Sequence, residues 1–131
     1  KHTVPAEIRF PKLFHRRGAL SMAREPDEVN PERASSGSQF FIVTGRPYMP
    51  QELKPIEARV AAATDGEIRY TDQVRGVYEN YGGAPHLDGQ YTVFGRVTEG
   101  MRTVTEIQMT PTDQNDRPTD DIRIIRATII E

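Results

Sequence analysis

Hydrophobic and polar residues alternate in several parts of this chain in the manner of short β-strands. Leu20 and Met22 flank Ser21, and an alternation of period two is typical of a strand. Further along, a small polar loop runs into two aromatic and two β-branched residues and ends at Gly45, which predicts a turn, a buried strand and a chain reversal. The pattern predicts four strands, at residues 19–23, 40–43, 91–97 and 122–130. We expect the last to be long enough to lie in the middle of a sheet.

Residues 46–85 instead show the spacing of helices. Leu53, Ile56 and Val60 recur at steps of three and four, and this spacing predicts a helix that continues to a stop signal at Asp65 and the glycine after it. The segment therefore reads as the first half of a helical hairpin set between two strands.

A second helix of this hairpin is predicted to begin after Thr71, whose hydroxyl suits an N-cap, and to end at two consecutive glycines. Its apolar stripe consists of Val74, Tyr78 and Tyr81. Such a stripe more often packs against the parent sheet than binds a ligand, and we interpret it as packing. A third, short amphipathic helix is predicted from Met101 to Gln108, and prolines and polar residues predict irregular segments at residues 4–14, 24–33 and 112–121.

The composition limits the classes of function. The chain has 131 residues, 36% hydrophobic and 27% charged, close to ordinary globular values, which predicts one domain with a single core. A net charge of −2 gives no basic footprint for nucleic acid, and no apolar run is long enough to span a membrane. With no cysteine, neither disulfides nor thiolate chemistry is available.

The candidate chemistry is binding rather than covalent catalysis. His2, His15 and His86 lie in separate contexts without a carboxylate at ligand spacing, and neither a phosphate-binding glycine pattern nor a nucleophile elbow is present, so we expect no metal and no cofactor. Gln39 and Phe41 lie two residues apart on one predicted strand face, and an amide beside an aromatic ring can hold a peptide. The simpler alternative places Phe40 and Phe41 in the core and Gln39 at an exposed strand end.

Three blocks of the chain, in order, resemble the cyclophilins, the cyclophilin-type peptidyl-prolyl cis-trans isomerases. These blocks are GALSMAR at residues 18–24, GSQFFI at 37–42, and LDGQYTVFGRV at 87–97 followed by EGM at 99–101. The resemblance implies a mainly β fold with helices, a closed eight-stranded antiparallel barrel carrying an external groove for an Xaa-Pro segment. Residues 1–131 would be the C-terminal portion of that single domain, and residues 46–85 a helical insertion of the kind found in bacterial members.

Carried over by position, the resemblance assigns Phe41 to the floor of the proline pocket and Leu87 to its wall. Gln39 would hydrogen-bond the substrate backbone, and the main chain at Ala23 and Arg24 would pair with the residues before the proline. Tyr91 would lie on the rim, where many members have histidine, and His86 stands where many have tryptophan, a difference that bears on cyclosporin binding. The implied substrate-binding residues are Ala23, Arg24, Gln39, Phe41, His86, Leu87 and Tyr91.

The family's catalytic arginine belongs to a block that would precede Lys1. Neither Arg9 nor Arg16 has a matching context, and Arg24 does not occupy the catalytic position. Residues 1–5 lack an initiator methionine and a signal-peptide core, so we expect the natural chain to begin further upstream.

The resemblance implies that the intact protein assists folding by isomerising Xaa-Pro bonds in protein substrates without a covalent step. The alternative is a non-catalytic module that binds proline peptides or assembles with partners. We expect the open barrel to be completed by a missing N-terminal segment or a swapped neighbour, because unpaired strand edges and an uncovered apolar face favour aggregation. The resemblance to insertion-bearing bacterial members favours a periplasmic or surface-anchored location, with the cytoplasm as the alternative.

Overall fold

A computed structural model describes residues 2–131 and divides them into two compact units, the first ending at Glu99 and the second running from Gly100 to Glu131. The first unit contains five strands, β1 (Thr3–Val4), β2 (Ala19–Met22), β3 (Ser35–Ser36), β4 (Phe40–Ile42) and β5 (Val93–Arg96), two helices, α1 (Pro50–Ala63) and α2 (Asp72–Asn80), and a 3₁₀ turn (Pro85–Leu87). The second unit contains the helix α3 (Met101–Gln108). None of the helices in residues 2–131 is long and apolar enough to cross a membrane.

The main sheet is antiparallel, in the order β4-β2-β5. Its register pairs Ser21 of β2 with Phe41 of β4 and with Val93 of β5, and a bulge separates Ser21 from Leu20 on the β5 side. A smaller antiparallel pair joins β1 to β3. The antiparallel pairing agrees with the predicted fold class, but within residues 2–131 the sheets do not close into a barrel, and the helices contain more residues than the five strands.

The two faces of the main sheet differ in burial. Ala19, Val43 and Val93 form a small buried cluster on one side, whereas Met22 and its cross-strand partner Phe40 lie on the other side and remain partly or largely exposed. The strand at β2 is confirmed, yet the fully buried member of the Leu-Ser-Met alternation is the serine. Ser21 tolerates burial because its hydroxyl is hydrogen-bonded, as described below.

Helix α1 ends where the sequence predicts, and its first turn at Pro50 was not predicted. Pro50 occupies the first turn, where a missing N–H is tolerated, and the Glu52 carboxylate accepts a hydrogen bond of 2.9 Å from the Met49 amide. The helix ends before Asp65 and Gly66, both with positive φ, 52° and 78°. The predicted stop signal is therefore confirmed.

Helix α2 is capped by Thr71, whose Oγ1 accepts a hydrogen bond of 3.1 Å from the Val74 amide. Val74 and Tyr78 are buried, but Tyr81, which directly follows the helix, is 62% exposed. The packing interpretation of the stripe is right for two residues and wrong for the third.

The helical segment builds the larger core of the first unit. That core combines residues of both helices with the loop between them, namely Leu53, Val60, Ile68, Tyr70, Val74 and Tyr78. Phe10 stacks on Tyr70 at 5.4 Å between ring centroids, and Phe14 meets Tyr78 edge-on at 5.3 Å. The hairpin thus packs against the irregular segment before β2, where we expected the sheet.

The strand predicted at residues 122–130 is wrong. This segment has no strand in the second unit, and its isoleucines are exposed, Ile125 to 96% and Ile129 to 92%. The many β-branched residues of this segment suit an extended backbone. A strand, however, also needs a neighbouring strand to pair with its N–H and C=O groups. Within the second unit the structure describes no such neighbour, whereas the predicted helix α3 is confirmed.

Candidate functional site

Phe41 and Tyr91, two of the predicted site residues, are in direct contact. Phe41 extends from β4 and packs against the small core cluster of the sheet. Its ring centroid lies 5.9 Å from that of Tyr91, with an interplanar angle of 84°. Both rings are partly buried. An edge-to-face pair of this kind forms a partly exposed apolar surface with a phenol at its margin.

The Arg24 side chain also packs against the Tyr91 ring. Its guanidinium carbon lies 4.6 Å from the ring centroid, and its Nε donates a hydrogen bond of 2.8 Å to the carbonyl oxygen of Gln90. The side chain is only 5% exposed and forms an ion pair of 2.8 Å with Asp27. The family resemblance assigned Arg24 through its main chain alone, and the contact of its side chain with Tyr91 was not predicted.

Arg33 ties the loop before β3 to the turn before Tyr91. It donates one hydrogen bond of 2.9 Å to the carbonyl oxygen of Gly89 and another of 3.1 Å to Asp27. Hydrogen bonds from Arg33, and then from Arg24, lower the pKa of the Asp27 carboxyl. The two arginines and Asp27 therefore link the loop at residues 24–33 to the turn at residues 88–91.

The main-chain N–H and C=O groups of Ala23 are both hydrogen-bonded within the protein. Its N–H donates to the carbonyl oxygen of Gln39 at 3.0 Å, and its carbonyl accepts from the Ser36 amide at 2.8 Å. An incoming peptide backbone would compete with these bonds. The predicted main-chain contact of Ala23 with a substrate would therefore require these bonds to break.

Gln39 lies immediately before β4 and is exposed, as the simpler sequence interpretation expected. The same interpretation was wrong for Phe40, which is 51% exposed because it lies with Met22 on the uncovered face of the sheet. The main-chain N–H of Gln39 donates a hydrogen bond of 3.1 Å to the Ser36 hydroxyl oxygen. Its side chain lines a cavity of about 210 Å³ together with Arg24, Val29 and other residues of the loop. Arg24 thus lines this cavity and also contacts the Tyr91 ring of the aromatic pair.

His86 and Leu87 lie in the 3₁₀ turn (Pro85–Leu87). His86 is exposed and Leu87 is partly buried. The turn leads through Asp88 and Gly89, whose φ of 82° favours glycine, to Tyr91. The structure therefore places the predicted wall and rim residues on one short connection.

A buried polar network next to this connection was not predicted. The Asp88 carboxylate accepts from the His15 amide at 2.9 Å, contacts the His15 Nδ1 at 2.8 Å, and accepts from the hydroxyls of Tyr70 and Tyr78 at 2.7 and 2.6 Å. Burial, and then the Asp88 charge, raise the pKa of both tyrosine hydroxyls. No local sequence pattern pairs His15 with a carboxylate, because Asp88 follows it by 73 residues.

The network extends to Ser21, but it does not form a nucleophilic triad. His15 Nε2 lies 3.1 Å from Ser21 Oγ, so the connectivity is that of serine, histidine and aspartate. Ser21 is 0% exposed, and its hydroxyl donates to the carbonyl oxygen of Thr92 at 3.0 Å. A substrate carbonyl cannot reach this oxygen, so the arrangement is structural.

The model of one protein family matches nearly the whole chain. That family, the cyclophilin type peptidyl-prolyl cis-trans isomerase/CLD, matches residues 1–129. The chain belongs to the cyclophilin-type peptidyl-prolyl cis-trans isomerase family. The resemblance stated above is therefore confirmed.

Curated relatives agree with this family. A protein of Staphylococcus saprophyticus, provisionally named a peptidyl-prolyl cis-trans isomerase, is 35% identical over 128 residues, 97% of this chain and 57% of its own length. A protein of Staphylococcus haemolyticus with the same name is 34% identical over 86% of this chain and 50% of its own length. A peptidyl-prolyl cis-trans isomerase-like 1 of Aspergillus fumigatus is 47% identical over 47 residues, 36% of this chain and 29% of its own length. The chain thus spans about half the length of the staphylococcal relatives.

Proposed function

We propose that the full-length protein is a peptidyl-prolyl cis-trans isomerase that binds Xaa-Pro segments of flexible protein chains and assists their folding without a covalent step. One observation carries the proposal in this cyclophilin-family chain: Arg24 contacts the Tyr91 ring of the Phe41–Tyr91 pair and also lines the cavity that Gln39 borders. Such a surface offers an apolar seat for a pyrrolidine ring beside groups that hydrogen-bond a peptide backbone.

The reaction itself requires only differential binding. Rotation about the prolyl bond faces a barrier of about 18–20 kcal/mol because the amide loses its resonance. A site that binds the twisted amide more tightly than either planar form lowers that barrier. In our proposal, Phe41 is the floor and Leu87 a wall for the proline ring, while Gln39 and the main chain of Arg24 anchor the neighbouring peptide groups.

The remaining parts of the site and fold are also proposals. The catalytic arginine of the family has no counterpart among Arg9, Arg16 and Arg24, and we assign it to a part of the protein outside residues 1–131. The open face around Met22 and Phe40 favours completion of an eight-stranded barrel by a further segment or a swapped neighbour, because large apolar side chains stay exposed there. A periplasmic or surface location of a bacterial protein remains a proposal that cell fractionation tests.

The proposed activity is tested by proline-limited refolding of a protein substrate with the full-length protein. The uncatalysed phase takes roughly 10–100 s at 25 °C, and we expect catalytic amounts of the protein to shorten it. A refolding rate that stays at the uncatalysed value contradicts the proposal. Binding of a proline peptide without any acceleration would identify a non-catalytic module instead.

A further inference from the structure

We propose that Tyr70 and Tyr78 of the helical segment are positioning residues that hold the wall and rim of the proline-binding site through Asp88. The inference rests on the proposed function for the role of that site. It gives the segment at residues 46–85 a task in the isomerase: the segment supplies two hydroxyls that fix the turn carrying Leu87 and leading to Tyr91.

The two tyrosines hold the turn by hydrogen bonds to Asp88. Both hydroxyls donate to the same oxygen, Asp88 Oδ2, at 2.7 Å from Tyr70 and 2.6 Å from Tyr78. The Tyr70 hydroxyl also lies 3.1 Å from the carbonyl oxygen of Pro85. Tyr70 therefore touches both ends of the short connection that contains Leu87.

Asp88 is connected to the aromatic pair through His15. Asp88 Oδ1 holds the amide and ring of His15, and the His15 ring meets the Tyr91 ring edge-on at 6.4 Å. Through its other nitrogen, His15 contacts Ser21, the cross-strand partner of Phe41. The network thus reaches the Tyr91 ring directly and the backbone position opposite Phe41.

Water cannot replace these hydrogen bonds, because the groups that form them are buried. Tyr78 is 0% exposed, and His15 and Asp88 are each 1% exposed. A buried carboxylate that loses a donor keeps the full cost of its desolvation, so it relaxes toward another partner. Because the Asp88 backbone is continuous with Leu87, such a relaxation moves the wall of the site.

The rings and the hydroxyls of the tyrosines have separable roles. The rings pack in the helical core against Phe10 and Phe14, and replacement by phenylalanine keeps that packing. The Tyr→Phe changes therefore remove the positioning contact while leaving the core filled. Tyr81 belongs to the same segment but is 62% exposed, and Tyr81→Phe provides the matched control.

The test compares Tyr70→Phe, Tyr78→Phe, their double variant and Tyr81→Phe in the full-length protein. Steady-state isomerisation of a tetrapeptide with a central Ala-Pro bond gives kcat and KM, and methyl and ring NMR signals report Leu87 and Tyr91. Because small misplacements of positioning groups are costly, we expect kcat/KM to fall about threefold in each single variant and about tenfold in the double variant, mainly in kcat. Tyr81→Phe should match the wild type in every readout.

The outcomes separate this inference from the proposed function. Folded Tyr→Phe variants with wild-type kcat/KM and unmoved Leu87 and Tyr91 signals overturn the positioning role. If the wild type itself lacks activity, the proposed function fails, and the NMR signals alone then decide whether the tyrosines hold the turn. If the double variant does not fold, the two single variants, each of which leaves Asp88 one tyrosine donor, decide the question by the same criteria.

Discussion

The helical segment and the three-stranded sheet close their apolar surfaces in different ways. The segment packs its helices against each other and against Phe10 and Phe14, so its core is nearly complete within the first unit. The sheet has a small packed face, while Met22 and Phe40 on its opposite face stay partly or largely exposed. A helix satisfies its backbone within itself, whereas a sheet depends on partners that are remote in sequence. The sheet is therefore the part of the first unit that leaves large apolar side chains uncovered.

Truncation of one apolar side chain in each region gives the largest expected effect. Leu53 is 1% exposed in the helical core, and we expect Leu53→Ala to cost about 2–5 kcal/mol of the free energy of unfolding. Phe40 is 51% exposed in the structure, but if the full-length protein covers the open face, Phe40→Ala should cost a similar amount there. Urea denaturation of the full-length variants measures both values.

An exposed aromatic residue provides the control for this comparison. Tyr81→Ala should change the free energy of unfolding by at most about 0.5 kcal/mol, as is usual at the surface. A cost for Phe40→Ala as small as that of Tyr81→Ala would mean that the face stays open, and the proposed completion of the barrel would then be wrong.

The alkaline pH dependence of stability gives a smaller effect that belongs to the helical segment. Burial, and then the Asp88 charge, raise the pKa of Tyr78 in the folded state above its unfolded value of about 10. The folded state therefore retains a proton that the unfolded state loses, and this stabilisation is present below pH 10 and declines as the pH rises further. Above that pH, the contribution of Tyr78 should fall by about 1.4 kcal/mol per pH unit.

The measurement is urea denaturation between pH 8 and pH 11 of the wild type and Tyr78→Phe. We expect the two stability curves to run parallel below about pH 10 and the wild-type curve to fall more steeply above it. Equal slopes over the whole range would show that the hydroxyl ionises as easily in the folded protein as in the unfolded chain.

The sequence predicted the elements whose signals are local. The N-cap at Thr71, the stop at Asp65 and the span of α3 are confirmed because each depends on residues within one or two turns. The strand expected at residues 122–130 is wrong because a β-rich run does not reveal whether a neighbour is present.

The candidate site was predictable where the family blocks cover it. The structure brings Phe41 and Tyr91 together, although neither their contact nor the side-chain role of Arg24 follows from a local pattern. The contact of His15 with Asp88 joins residues 73 positions apart, and no local pattern reports it. Loop-to-turn contacts of this kind become visible only when the chain is folded.

The central claim is that the aromatic pair of Phe41 and Tyr91 seats the proline ring, and Phe41→Ala in the full-length protein tests it most directly. The measurement is kcat/KM for an Xaa-Pro peptide, with Tyr81→Ala as the control that removes an exposed ring elsewhere. Because Phe41 would form the floor of the proline-ring pocket, we predict a fall of about 100-fold for Phe41→Ala, and a value within about twofold of the wild type for Tyr81→Ala. A folded Phe41→Ala variant with wild-type kcat/KM would contradict the account.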